Sequence, residues 1–135
     1  MKPVTMAHLP QVDVETALNG ARLLVVEDDF LIRIDLEATL LEAGAEITGL
    51  CASVQQALEA IRLDAPDAAI LDVRLGKETV GPVARELTSL GIPFVFYTGQ
   101  VGADATLDEW SQHKVLPKPS QPRAIVAAVA NLLKS

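Results

Sequence analysis

From Ala21 onward, short apolar runs that read as strands alternate with segments of helical spacing, a pattern few folds accommodate. Leu23-Leu24-Val25-Val26 is a continuous apolar run, as expected of a strand buried on both faces. Helical spacing follows over Phe30–Ala43, with apolar positions at Leu31, Ile34, Ala38 and Leu41 and Gly44 to end it. Ile47–Cys51 reads as a second strand. Val54, Ala57, Leu58 and Ile61 then recur at helical intervals behind Ser53, a good N-cap. Asp67–Val73 reads as a third strand, and Val80, Val83, Ala84, Leu87 and Leu90 as a third helix closed by Gly91. Pro93–Thr98 is a fourth strand, with proline tolerable at its first position. Gly102–Trp110 is weakly helical, and Val115–Lys118 is a short fifth strand. A last helix has Ser120 as its expected cap, Pro122 in its first turn, and a stripe of Ile125, Val126, Val129, Leu132 and Leu133. Five strands alternating with five helices predict a doubly wound α/β sheet with parallel strands.

The 135 residues suit one domain, and half of them are apolar, enough to bury a core. Residues 1–20 differ, with Pro3, Pro10, Gly20 and scattered apolar positions, and read as a flexible leader before a domain at 21–135. A second domain is not expected. The formal net charge of −7 repels phosphate backbones, which argues against nucleic-acid binding as the main task. The single cysteine, Cys51, excludes an internal disulfide and a multi-cysteine metal site. No apolar run approaches the roughly 20 residues of a membrane span, and no signal peptide is evident, so a cytoplasmic protein without membrane contacts is expected.

In an open parallel sheet, ligands bind outside the carboxyl ends of the strands. The first strand ends at Glu27-Asp28, the third at Asp72, the fourth at Thr98 and the fifth at Lys118. Clustered carboxylates repel one another, and a divalent cation relieves the repulsion; oxygen donors of this kind suit Mg²⁺. A strand-end aspartate is also a possible nucleophile, forming an aspartyl phosphate. A lysine and Mg²⁺ together would neutralise a transferring phosphoryl group, and Thr98 could bond to it once attached.

This set resembles the receiver domain of two-component response regulators over about residues 21–134. The residues that carry the likeness are Glu27-Asp28 after Leu-Leu-Val-Val, Asp72 in Ile-Leu-Asp-Val, Thr98 after Phe-Val-Phe-Tyr, and Lys118-Pro119. The resemblance implies a flavodoxin-like five-stranded parallel sheet in the order 2-1-3-4-5 with five helices. It implies phosphorylation of Asp72, Mg²⁺ held by Glu27, Asp28, Asp72 and the backbone carbonyl of Arg74, and roles for Thr98 as switch hydroxyl and Lys118 as phosphate partner. Asp28 would touch the metal directly and Glu27 more through water. A cis bond at Lys118-Pro119 is usual in the family. Its members catalyse only their own phosphorylation and dephosphorylation, taking the phosphoryl group from a sensor histidine kinase or a phosphotransfer protein.

The departures from the family pattern are specific. Gly76 stands where many receivers have proline, Gly99 where many have alanine, Val115 where most have a switching aromatic, and Ser120 where an aromatic often follows Lys-Pro. Phe96-Tyr97-Thr98-Gly99-Gln100-Val101 resembles a subfamily of single-domain receivers with a Phe-Ala-Thr-Gly-x-Tyr stretch (FATGUY); Phe96, Thr98 and Gly99 match, and Tyr97 and Val101 do not. Members of that subfamily are similar in partnering HWE-class histidine kinases. Arg74 and Gln100, each two residues past a site residue, are expected to tune dephosphorylation. A stand-alone phosphoacceptor that signals to a downstream protein or acts as a phosphate shuttle or sink is the first reading. An interaction module that works without phosphorylation is the second. A hydrolase with an aspartate nucleophile ranks third, because Arg74 stands where phosphatases of the haloacid dehalogenase type need an acid. Cys51 reads as a buried apolar filler. Trp110 reads as a partly exposed loop or helix residue, and His113 as a residue of a polar loop.

Overall fold

The structure, a computed structural model, describes residues 16–99 and 108–134. Its elements are β1 (Arg22–Val26), α1 (Phe30–Glu42), β2 (Glu46–Cys51), α2 (Val54–Leu63), β3 (Ala68–Leu71), β4 (Arg74–Leu75), β5 (Glu78–Thr79), α3 (Gly81–Ser89), β6 (Phe94–Thr98), β7 (Val115–Pro117) and α4 (Pro122–Leu133). Five strands form one sheet in the order β2-β1-β3-β6-β7, and its adjacent pairs are all parallel. This is the expected 2-1-3-4-5 order once the two-residue strands β4 and β5 are set aside. Those two pair antiparallel as a small ribbon directly after β3, which was not anticipated. Four helices lie wholly among the described residues, and residues 108–109 are helical as well. The weakly helical stretch at 102–110 falls mostly outside the described set.

Alternation along the strands sends side chains into two cores. Leu23 and Val25 join Leu36, Leu40, Ile70, Val95, Ile125 and Val129 on the α1/α4 side. Leu24 and Val26 join Ala57, Ile61, Leu71, Val83, Leu87 and Phe96 on the α2/α3 side. Both faces of the central strands are covered, so Leu23–Val26 and Ala68–Leu71 are apolar throughout.

Helix α1 falls where expected, but its buried face does not. Leu31, Ile34 and Leu41 are exposed, and the helix packs through Leu36, Thr39 and Leu40, with Ile32 half-covered against them. The helix carries apolar residues on two faces, and spacing alone does not say which one meets the sheet. Ser53 does cap α2, its hydroxyl accepting the Gln56 N–H at 3.1 Å. Ser120 does not cap α4: Gln121 is the N-cap, and the Ser120 hydroxyl instead donates to the Pro117 carbonyl at 2.6 Å.

The expected leader extends into the fold at its described end. Leu18 is 1% exposed and lies in the α1/α4 core. The Leu18 N–H donates to the Ala43 carbonyl at 2.9 Å and the Gly20 N–H to the Gly44 carbonyl at 3.1 Å. Thr16–Gly20 therefore packs with the domain because Leu18 has a core site to fill; residues 1–15 lie outside the described set. Gly44 has φ +96°, the left-handed region that favours glycine, and a Cβ there would also crowd Asn19.

Candidate functional site

The parallel register levels the strand ends. Val26 of β1 stands beside Cys51 of β2 and Leu71 of β3, so the next residues, Glu27 and Asp72, leave the sheet at one height. The first step past each end is still pinned: the Glu27 N–H donates to the Cys51 carbonyl at 2.8 Å, and the Asp72 N–H to the Val26 carbonyl at 2.9 Å. Thr98 ends β6 and is buried, and its carbonyl accepts the Lys118 N–H at 3.0 Å. The Lys118-Pro119 bond is cis. The Lys118 side chain, directly after β7, reaches across the sheet end.

Its ammonium lies 2.8 Å from Asp72 Oδ2 and 2.6 Å from Glu27 Oε1. The contact to Asp72 is a hydrogen bond, while the one to Glu27 is ionic without hydrogen-bond alignment. The other Glu27 oxygen, Oε2, accepts the Asp29 N–H at 3.0 Å. Asp28 is exposed, and its Oδ2 accepts the N–H of Gly76 in the β4–β5 turn at 2.8 Å. Burial pushes the Glu27 carboxyl above its ordinary range, against the pull of Lys118 and the Asp29 N–H. Burial alone would lower the Lys118 pKa, but the Asp72 hydrogen bond and the charges of Asp72 and Glu27 outweigh it and raise it. The ammonium therefore stays charged.

Glu27, Asp28 and Asp72 each offer a carboxylate oxygen, and the three atoms lie within 4.8 Å of one another. Three carboxylates meet there beside the Lys118 ammonium. An all-oxygen set with one exposed member fits a hard divalent cation such as Mg²⁺. Asp72, Arg74, Thr98, Gly99 and Lys118 line a cleft of about 320 Å³ over these groups. A larger cavity of about 530 Å³ lies between α2 and α3, lined by Leu58, Ile61, Arg62, Ala65, Glu86 and Leu90, away from the strand ends where the charged groups converge.

The structure thus brings Glu27, Asp28, Asp72, Thr98 and Lys118 together, with Arg74 in β4 at the cleft's edge. Gln100 lies outside the described residues. Val115, at the position expected to lack the aromatic, packs beside Phe94 and Phe96 in the α2/α3 core. Trp110, expected as a partly exposed loop or helix residue, is half-buried against this core, and His113, expected in a polar loop, joins it. His113 stacks on Phe94 with ring centroids 4.3 Å apart, and Trp110 meets Phe94 edge-on at 5.8 Å. Three further contacts were not anticipated. The Gly76 N–H holds Asp28. Tyr97 accepts the Ser120 N–H at 3.3 Å. Arg33 donates to the carbonyls of Glu27 and Asp28 at 2.7 and 3.3 Å. A strand-end search finds acids and lysines but not main-chain donors or a cation one turn into a helix.

Residues 23–130 match the family model for the response regulator receiver domain. Among curated proteins the chain is similar to the transcriptional regulatory protein PdtaR of Mycobacterium tuberculosis, 38% identical over 90 residues, covering 66% of this chain and 43% of that protein. The response regulator MprA of Mycolicibacterium vanbaalenii is 32% identical over 122 residues, covering 84% of this chain and 50% of its own length. The chain therefore spans about half the length of the curated relatives it matches. Among solved structures, the receiver domain of the PhyR response regulator from Erythrobacter litoralis superposes with a TM-score of 0.77 at 26% identity, covering 87% of this chain and 93% of that one.

Proposed function

This chain belongs to the response regulator receiver family, and on that premise we propose that it accepts a phosphoryl group on Asp72 from a histidine kinase. The observation that carries the proposal is the Lys118 ammonium 2.8 Å from Asp72 Oδ2, beside two further carboxylates and a buried strand-end threonine. In the transfer, a carboxylate oxygen of Asp72 attacks the phosphorus of a phosphohistidine. The P–O bond forms as the P–N bond breaks, and the imidazole leaves with the electron pair and takes up a proton. Lys118 is placed to neutralise the phosphoryl oxygens, and Thr98 to bond to the group once attached. Glu27, Asp28, Asp72 and the Arg74 carbonyl would hold Mg²⁺, with Glu27 acting more through water. Bound there, the cation would supply further positive charge to the phosphoryl group. Arg74, on the cleft's edge, and Gln100 tune the attack of water on the acyl phosphate.

Phe96, Thr98 and Gly99 support a narrower placement among the Phe-Ala-Thr-Gly-x-Tyr receivers, with an HWE-class kinase as donor. Acting in the cytoplasm, the phosphorylated domain signals by docking to a downstream protein or passes the group on as a shuttle or sink. Among the described residues, no helix is long and apolar enough to cross a membrane.

The test is incubation with Mg²⁺ and acetyl phosphate, or with a phosphorylated HWE-class kinase, followed by intact mass. One added phosphoryl group, lost in Asp72→Ala and without Mg²⁺, is the expected result. If neither donor labels the chain and beryllofluoride leaves Asp72 unengaged, the phosphoacceptor reading fails and an interaction module takes its place.

A further inference from the structure

Glu27 and Asp28 must aim their carboxylates from a segment that has just left the sheet. The Glu27 N–H still bonds to β2, but its carbonyl has passed the last strand pairing. A side chain from the next element supplies the missing donor. Asp29 caps α1, accepting the Ile32 N–H at 3.1 Å through its side chain and the Arg33 N–H at 2.9 Å through its carbonyl. Helical side chains lean toward the N-terminus, so Arg33, one turn in, folds back over the strand end. Its Nη1 donates to the Glu27 carbonyl at 2.7 Å and, more weakly, to the Asp28 carbonyl at 3.3 Å. The guanidinium carbon also stands 5.6 Å from the Phe30 ring centroid, which holds the fork in place.

We infer that Arg33 is a positioning residue for the divalent-cation site: by tying down the Glu27 and Asp28 carbonyls, it sets where the two carboxylates point. The inference rests on the reading that Glu27, Asp28 and Asp72 hold Mg²⁺. Two effects of Arg33 oppose one another, which makes its role measurable. As a positive charge near the site, it repels a divalent cation, so its removal should tighten binding. As a tie on the acid pair, it pre-orders the ligands, so its removal should weaken binding. Lysine keeps the charge but lacks the planar guanidinium that stands against Phe30 while its Nη1 serves both carbonyls.

The experiment titrates Mn²⁺ into the full chain, reads free ion by its EPR signal, and confirms the site by competition with Mg²⁺. Wild type, Asp28→Asn, Arg33→Gln and Arg33→Lys are compared, with urea unfolding of each alongside. Positioning predicts that both Arg33 variants bind Mn²⁺ about tenfold more weakly than wild type, the scale typical of groups that orient metal ligands. Unchanged or tighter binding by Arg33→Gln overturns it, as does wild-type affinity in Arg33→Lys. A change confined to the unfolding midpoints overturns it too, by making the contact merely structural. If Arg33→Gln does not fold, the lysine variant decides alone. If wild type binds no Mn²⁺, or Asp28→Asn binds as wild type does, the metal-site reading itself fails and the inference falls with it.

Discussion

Replacing Lys118 by methionine keeps the aliphatic stem and removes the ammonium from between Glu27 and Asp72. Glu27 suffers most, since its side chain is only 2% exposed and Oε1 faces the lost charge at 2.6 Å. Leaving one partner of a buried pair uncompensated costs about 3–5 kcal/mol. The carboxyl has a second route, which is to fold with a proton on. From an ordinary pKa of 4.5, holding it neutral at pH 7 costs about 3.4 kcal/mol, at ~1.36 kcal/mol per pH unit. Protonation therefore caps the loss near the low end of the range. At pH 5 the same route costs only about 0.7 kcal/mol. The sign follows from proton counting: the folded variant binds a proton that the unfolded chain releases above pH 4.5, so its stability falls as pH rises. Urea unfolding followed by circular dichroism, without divalent cations, should show a deficit against wild type of up to about 3 kcal/mol at pH 7, shrinking below about 1 kcal/mol at pH 5. A deficit that does not change with pH, or a more stable variant at pH 7, would refute this account of the acid cluster.

Two further outcomes are expected. Burial holds the His113 imidazole below its ordinary pKa of 6.5, so the neutral form is the folded one; this contribution is complete above pH 6.5 and is lost as pH falls below it, and the stability of His113→Leu should show a flatter dependence between pH 7 and 5. Leu18→Ala should cost about 2–4 kcal/mol in urea unfolding, because Leu18 is buried in the α1/α4 core; a loss under about 0.5 kcal/mol would mean that Thr16–Gly20 is not held there.

The parts of this molecule legible in its sequence are those whose signal is local. Leu23–Val26 announces a strand buried on both faces because every position is apolar, and the strand-end rule then points at Glu27, Asp28, Asp72, Thr98 and Lys118 before any contact is known. What escaped is set by partners distant in sequence. The burial of Leu36 rather than Ile34 on α1 depends on how the helix rolls against the sheet. Leu18 is a core residue only because Ala43 and Gly44 return beside it. His113 looks like a loop residue until the chain brings it onto Phe94, nineteen positions earlier. Arg33 is an unremarkable helix cation until its hydrogen bonds to the strand end are seen. The β4–β5 ribbon, two residues per strand, is too short to leave a periodicity.

The pairing of Val26 with Leu71 has an evolutionary corollary. The sheet acts as a gauge block: β1 and β3 are cut to lengths that deliver Glu27 and Asp72 to a common plane. Exchanging one apolar residue for another within β1 or β3 leaves that plane intact. Adding or removing a single residue shifts an acid by about 3.3 Å and sends it to the opposite side of the sheet. Drift in this chain should therefore run freely in the composition of its central strands and be barred in their length, and a descendant that has lost the acid cluster while keeping its fold should be sought among single-residue indels there.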